Sequence, residues 1–273
     1  MQATTHMERL GLRSDTAVMA RRLLGSGLLA GLAGGLALIA VMILVMGAAG
    51  MGYATPLNIG MASFVFTVTP PMSMLPTLVS MMGIRLPASA MAPLAVVAHG
   101  GHLSPAMKKN LGAMLMSMHV PAATVTQMGL LMSGKATNST MASLMSAMSP
   151  SARAAVMSAM PVSAGHVVAG VILHFAFAAF LGVAFAVIIG MAARMGVPGL
   201  RTSAGIVTAG VAGGAIVYVI LRWGLLPAVN PLMAFVPQLA FFLAHLLFGL
   251  VAGIVLAVAF RRAAMTAPQH ASR

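Results

Sequence analysis

"LLGSGLLAGLAGGLALIAVMILVM", Leu23 to Met46, is an unbroken apolar run of 24 residues. At about 1.5 Å per helical residue it is long enough to cross roughly 30 Å of hydrocarbon. Arg21 and Arg22 stand immediately before it, where a cytoplasmic anchor would lie. Working outward from this run, three more apolar stretches of spanning length occur at 167–193, 203–221 and 235–260. The expected fold is therefore all-α: a polytopic membrane protein with four transmembrane helices.

Composition agrees. Sixty per cent of the 273 residues are hydrophobic and only 6% are charged, and the mean hydropathy is +1.01, values that a soluble domain of this size does not carry. The only acidic residues are Glu8 and Asp15, so no carboxylate follows residue 15. That excludes paired-carboxylate hydrolysis, Ser-His-Asp chemistry and hard-cation sites built on Asp or Glu. The absence of cysteine excludes thiolate zinc, iron–sulfur clusters and thiol nucleophiles. Most catalytic mechanisms are thereby removed, and the reading is that the chain is not an enzyme. The formal charge of +13 has little aromatic interleaving and points to membrane orientation rather than to nucleic acid.

Orientation follows from where the basic residues fall. Arg9, Arg13, Arg21, Arg22, Arg194, Arg201, Arg261, Arg262 and Arg273 lie on one side of the expected spans. The long 47–166 segment carries only Arg85, Lys108, Lys109, Lys135 and Arg153. The positive-inside rule places both termini in the cytoplasm and the protein in the cell (inner) membrane. The resulting plan is a tail at 1–22, spans at 23–46, 167–193, 203–221 and 235–260, an extracytoplasmic or interfacial insertion at 47–166, and a tail at 261–273. The Arg-Arg pair also stands where a twin-arginine export signal has one, but the apolar run is longer than a signal core.

An internal repeat is legible. "GLAGG" at 31–35 is echoed by "GVAGG" at 210–214, "TPLNIG" at 55–60 by "NPLMAF" at 230–235, and His174 with Gly182 by His245 with Gly253. This reads as a duplicated two-helix unit, both copies entering the membrane in the same direction, with the methionine-rich insertion inside the first. Small residues four apart let helix backbones approach. The expected packing positions are Gly27, Gly31, Gly35, Gly182, Gly210, Gly214, Gly249 and Gly253.

The stretch "GGAIVYVILRWGLLPAVNPLM" at 213–233, followed by "FFLAHLLFGLVAG" at 241–253 and matched by "LHFAFAAFLGVAFA" at 173–186, resembles small four-helix bacterial inner-membrane proteins of the YagU-like kind. The resemblance covers the four spans only, and it implies a membrane fold with no established activity.

Eighteen of the 27 methionines fall between Met51 and Met160. The stretches 55–68 and 71–84 read as interfacial or re-entrant segments, and Met141, Met145, Met148, Met157 and Met160 recur at helical spacing as apolar packing residues. A sharper reading takes "GAMLMSMHV" at 112–120 as an extended segment whose alternate Met114, Met116 and Met118 share a face beside His119, with His99 and His102 of "HGGH" as further donors. Thioether and imidazole ligands without thiolate or carboxylate would select Cu(I) or Ag(I). Within the spans, His174 and His245 are candidates for bis-His haem b or for a polar path, against a plain packing role in which each imidazole bonds a neighbouring helix's backbone or hydroxyl, with Tyr218, Thr208 and Ser203 as partners offered by the third span. Three functional readings result: an accessory or envelope-associated membrane component, with the bilayer and a second copy or a membrane complex as partners; extracytoplasmic Cu(I) binding or passage; and a haem-bearing redox subunit.

Overall fold

A computed structural model describes residues 2–57, 70–160 and 163–265, and the side chains among them except those of 2–17, 19, 227 and 264–265. Among the described residues there is no strand. The helices are α1 Gln2–Ala48, α2 Leu75–Met81, α3 Ala88–Ala98, α4 Pro105–Ser117, α5 Ala122–Met132, α6 Asn138–Ser146, α7 Pro150–Ala159, α8 Ala164–Arg194, α9 Ser203–Val219, α10 Leu226–Val229 and α11 Gln238–Met265. A π turn, Ile220–Leu225, extends α9. Four helices are long and apolar enough to cross a membrane: Ala20–Ala48, Ala164–Arg194, Ser203–Leu225 and Gln238–Ala263. The chain is thus an all-α, multi-pass membrane protein. Span ends shift by a few residues, and two differences have a local cause. Residues 2–22, read as a tail, continue α1 as helix, and the last span begins at Gln238 rather than 235 because Pro231–Phe235 forms a separate 3-10 turn. The stretch 55–68 falls mostly outside the described residues.

The chain divides into two compact units. The first comprises 1–41, 173–220 and 238–273. In it α1 lies antiparallel to α8 and α9 antiparallel to α11, as the order of facing residues shows: Gly27 against Gly182 and Val183, then Gly31 against Ala178, then Gly35 against Ala178 and His174. A Cβ at Gly27 would stand 2.6 Å from the Val183 Cα, and one at Gly31 would collide with the Ala178 carbonyl oxygen. Likewise a side chain at Gly210 would strike the Gly249 carbonyl, and one at Gly214 the His245 carbonyl. Ala30, Ala186, Ile189, Ile206, Ala252 and Leu256 form a buried cluster to which all four helices contribute. The outward positions are the bulky ones, with Leu29, Leu36, Phe180, Ile216 and Leu239 each about 60% or more exposed. Small inside and large outside is the pattern of helices packed within lipid, where close backbone approach replaces a hydrophobic drive.

The second unit comprises 42–172 and 221–237. Its short helices start on sequence signals: Ser104, Thr137 and Ser149 accept hydrogen bonds from the backbone amides of Met107, Thr140 and Ala152 at 3.2 Å. Pro105 and Pro150 fill the first helical positions, where no amide donor is needed. Its core is built of Leu and Met: Leu94, Leu115, Met128, Met141, Met145 and Met157 are all nearly fully buried.

Candidate functional site

Two histidines lie in the first unit where helices touch. His174 on α8 donates from Nε2 to the Gly35 carbonyl of α1 at 3.0 Å. Gly35 makes this approach possible, since a Cβ there would stand 2.7 Å from the Ala178 methyl and 3.4 Å from the imidazole itself. His245 on α11 is 3% exposed, and its Nδ1–H donates to the Phe241 carbonyl one turn earlier at 2.7 Å. The Phe241 ring meets the imidazole edge-on at 4.3 Å between centroids, and Tyr218 of α9 does so at 6.1 Å. The His245 bond thus stays within α11 and does not reach a neighbouring helix as expected, and Tyr218 meets the imidazole ring to ring. Chemically this arrangement fixes each imidazole against a carbonyl in a tautomer set by that bond. Haem ligation through Nε2 of His174 would require the imidazole to leave Gly35.

No protein-family model, no curated protein and no solved structure matches the chain. What its residues can do rests on their own geometry.

In the second unit the segment read as extended is helical. Residues 105–117 form α4, with Met118 capping its end. The reason is visible in retrospect: Leu111 and Leu115, four apart, are both buried, and Ser104-Pro105 is a helix-start signal. Positions two apart on a helix diverge by about 200°, so Met114, Met116 and Met118 do not share one face. Met114 and Met118 lie on one side and are half-buried, while Met116 points away and is 57% exposed. His99, His102 and His119 are exposed. Among the described residues no group of three or more His, Cys, Asp or Glu stands together as a metal site.

His119 is the one non-glycine residue with positive φ among the described residues, at 60°. Its amide donates to the Met116 carbonyl, and the Val120 amide to that of Leu115, at 3.0 and 3.1 Å. This is a Schellman helix end. Helices α1, α2, α3, α5 and α8 close with the same pair of bonds around Gly50, Gly83, Gly100, Gly134 and Gly196, all with positive φ.

Sequence reading passed over Arg222. Its guanidinium donates to the Met233 and Ala234 carbonyls at 2.7 and 3.2 Å, and so satisfies the carbonyl end of the 3-10 turn at Pro231–Phe235. Arg153 stands over the Phe235 ring of the same turn, 5.4 Å from its centroid. With no acid after residue 15, carbonyls and rings are the partners left to an internal arginine, a signal that was available from composition.

Proposed function

We propose that the chain is a non-catalytic integral membrane protein, an accessory or envelope-associated component of the cell (inner) membrane, with cytoplasmic termini and an extracytoplasmic methionine-rich insertion at 47–166. The observation that carries the reading is that both imidazoles are engaged by backbone carbonyls, His174 by Gly35 across to α1 and His245 by Phe241 within α11. The residues best suited to intramembrane chemistry serve packing instead. The buried methionines of the second unit act in the same way, as adaptable core.

We further propose that the four spans arose by duplication. In support, both helix pairs use one register: Gly31 faces Ala178 as Gly210 faces Gly249, and Gly35 faces His174 as Gly214 faces His245. The second member of each matched pair is displaced by the same 71 positions that separate His174 from His245. Kinship with YagU-like membrane proteins rests on the quoted residues alone.

Protein purified in detergent from haem-replete, copper-supplemented cells tests the role. The expected result is no Soret band and no stoichiometric copper, with a His174→Leu/His245→Leu variant still inserted and still holding the same associated proteins. A Soret band abolished in that variant overturns the reading in favour of haem b.

One observation favours Cu(I) binding as a second reading: His119 occupies a backbone position that five other helix ends give to glycine, beside Met114 and Met118 on one face of α4. Near-stoichiometric copper that is lost when Met114, Met116, Met118 and His119 become Leu would establish it, and its absence would sink it.

A further inference from the structure

The first unit holds a cleft of about 740 Å³ where the apolar run of α1 begins and α8 and α11 end, a size within the range of about 300–1,000 Å³ that small-molecule sites occupy. Leu23, Leu29 and Phe260 contribute apolar wall, and Arg22, Arg262 and Ser26 supply the polar groups. Arg21 and Arg261 are exposed beside the two lining arginines. One arginine of each Arg-Arg pair, Arg22 where the apolar run of α1 opens and Arg262 where that of α11 closes, thus lines a single greasy cleft.

The chain as a whole is short of internal counter-charge. The chain has 15 Lys and Arg against two acids, so 13 positive charges stay unmatched even with both acids paired. The Ser26 hydroxyl donates to the Leu23 carbonyl at 3.2 Å. Arg262 already has an interaction within the protein, and the five donors of a guanidinium accommodate both that and an external oxyanion. An arginine fork matches phosphate oxygens in pairs.

We propose that this cleft is a binding site for an anionic glycerophospholipid of the surrounding leaflet, its phosphate held between Arg22 and Arg262 and one acyl chain lying along Leu23, Leu29 and Phe260. Charge complementarity favours this occupant over a zwitterionic lipid, and the apolar wall favours it over free phosphate. Basic clefts between membrane helices at the cytoplasmic side are suited to such headgroups. The inference rests on the membrane placement of these helices, which alkaline carbonate extraction tests separately: release from the membrane would refute the placement, whereas retention leaves the lipid site to stand or fall alone.

Native mass spectrometry of the full chain in a mild detergent, titrated with phosphatidylglycerol, phosphatidylcholine or inorganic phosphate, decides it. Phosphatidylglycerol is expected to bind at least tenfold more tightly than phosphatidylcholine, with phosphate alone not retained. Arg22→Gln/Arg262→Gln should weaken phosphatidylglycerol by about 25-fold, from about fivefold for each arginine at an anionic lipid surface. The charge-matched control Arg85→Gln/Lys108→Gln should leave it unchanged. Ala259→Phe, which fills the cleft with all arginines intact, should also lose the lipid, and size-exclusion profiles confirm that each variant folds. Equal binding of the two lipids, equal losses in the control and the arginine variant, or retention of phosphate alone would each overturn the proposal.

Discussion

His119 shows how a single backbone angle can be read as energy. The left-handed conformation costs an L-residue about 1–2 kcal/mol, and glycine escapes it. His119→Gly is therefore expected to stabilise the second unit by about 1 kcal/mol, seen as a higher midpoint in denaturant or heat. A destabilised variant would mean that the imidazole makes a contact worth more than the strain. The glycines between spans carry the opposite sign. At Gly31 and Gly210 a methyl would strike a neighbouring carbonyl, so Gly31→Ala or Gly210→Ala should cost about 1–3 kcal/mol as overpacking does. At Gly129, where a Cβ meets nothing within 4 Å, alanine in mid-helix should stabilise by about 0.5–1 kcal/mol. Thermal unfolding in one detergent compares the three. These packing glycines could be named from sequence because small residues four apart have one dominant use between membrane helices. The His174–Gly35 bond could not be named, because it depends on how far α1 slides along α8.

At the scale of elements, the long helices were legible and the short ones only partly so. Apolar length marks the spans regardless of neighbours, whereas α4 was obscured by reading its methionines alone at a period of two. Taken together, Ser104-Pro105 and the Leu111–Leu115 spacing specify a helix. The start of α6 carries the clearest local device, a reciprocal pair in which the Thr137 hydroxyl accepts from the Thr140 amide and the Thr140 hydroxyl from the Thr137 amide, at 3.2 and 3.1 Å. Thr137→Ala should cost about 1 kcal/mol, while Thr137→Ser should restore most of it. Packing and metal roles also separate at this scale. If Met141, fully buried in α6, serves as core, Met141→Leu should cost under about 1.5 kcal/mol and Met141→Ala about 2–5 kcal/mol. A leucine variant as damaged as the alanine one would point to a need for the sulfur itself.

For the whole molecule, the proposed orientation rests on charge that the chain cannot neutralise within itself. Arginine clusters in short segments resist transfer across the bilayer, and they stand at 21–22, 194, 201 and 261–262, whereas the 47–166 segment carries five cations over a much longer length. Arg222 adds a cation on the sparse side, but it bonds carbonyls within its own unit and leaves the contrast with the short arginine-bearing segments in place. The absence of cysteine makes the test direct, since any introduced thiol is the only one. Met116→Cys and Met195→Cys place it at positions 57% and 76% exposed, the first on α4 and the second in the connection between α8 and α9. In sealed right-side-out vesicles a membrane-impermeant maleimide should label Met116→Cys at once and Met195→Cys only after permeabilisation. Because both sites are solvent-accessible in the folded chain, protection reports the bilayer and not burial. The reverse pattern would invert the topology and move the arginine-lined cleft to the outer leaflet; labelling of both before permeabilisation would mean that α8 does not cross.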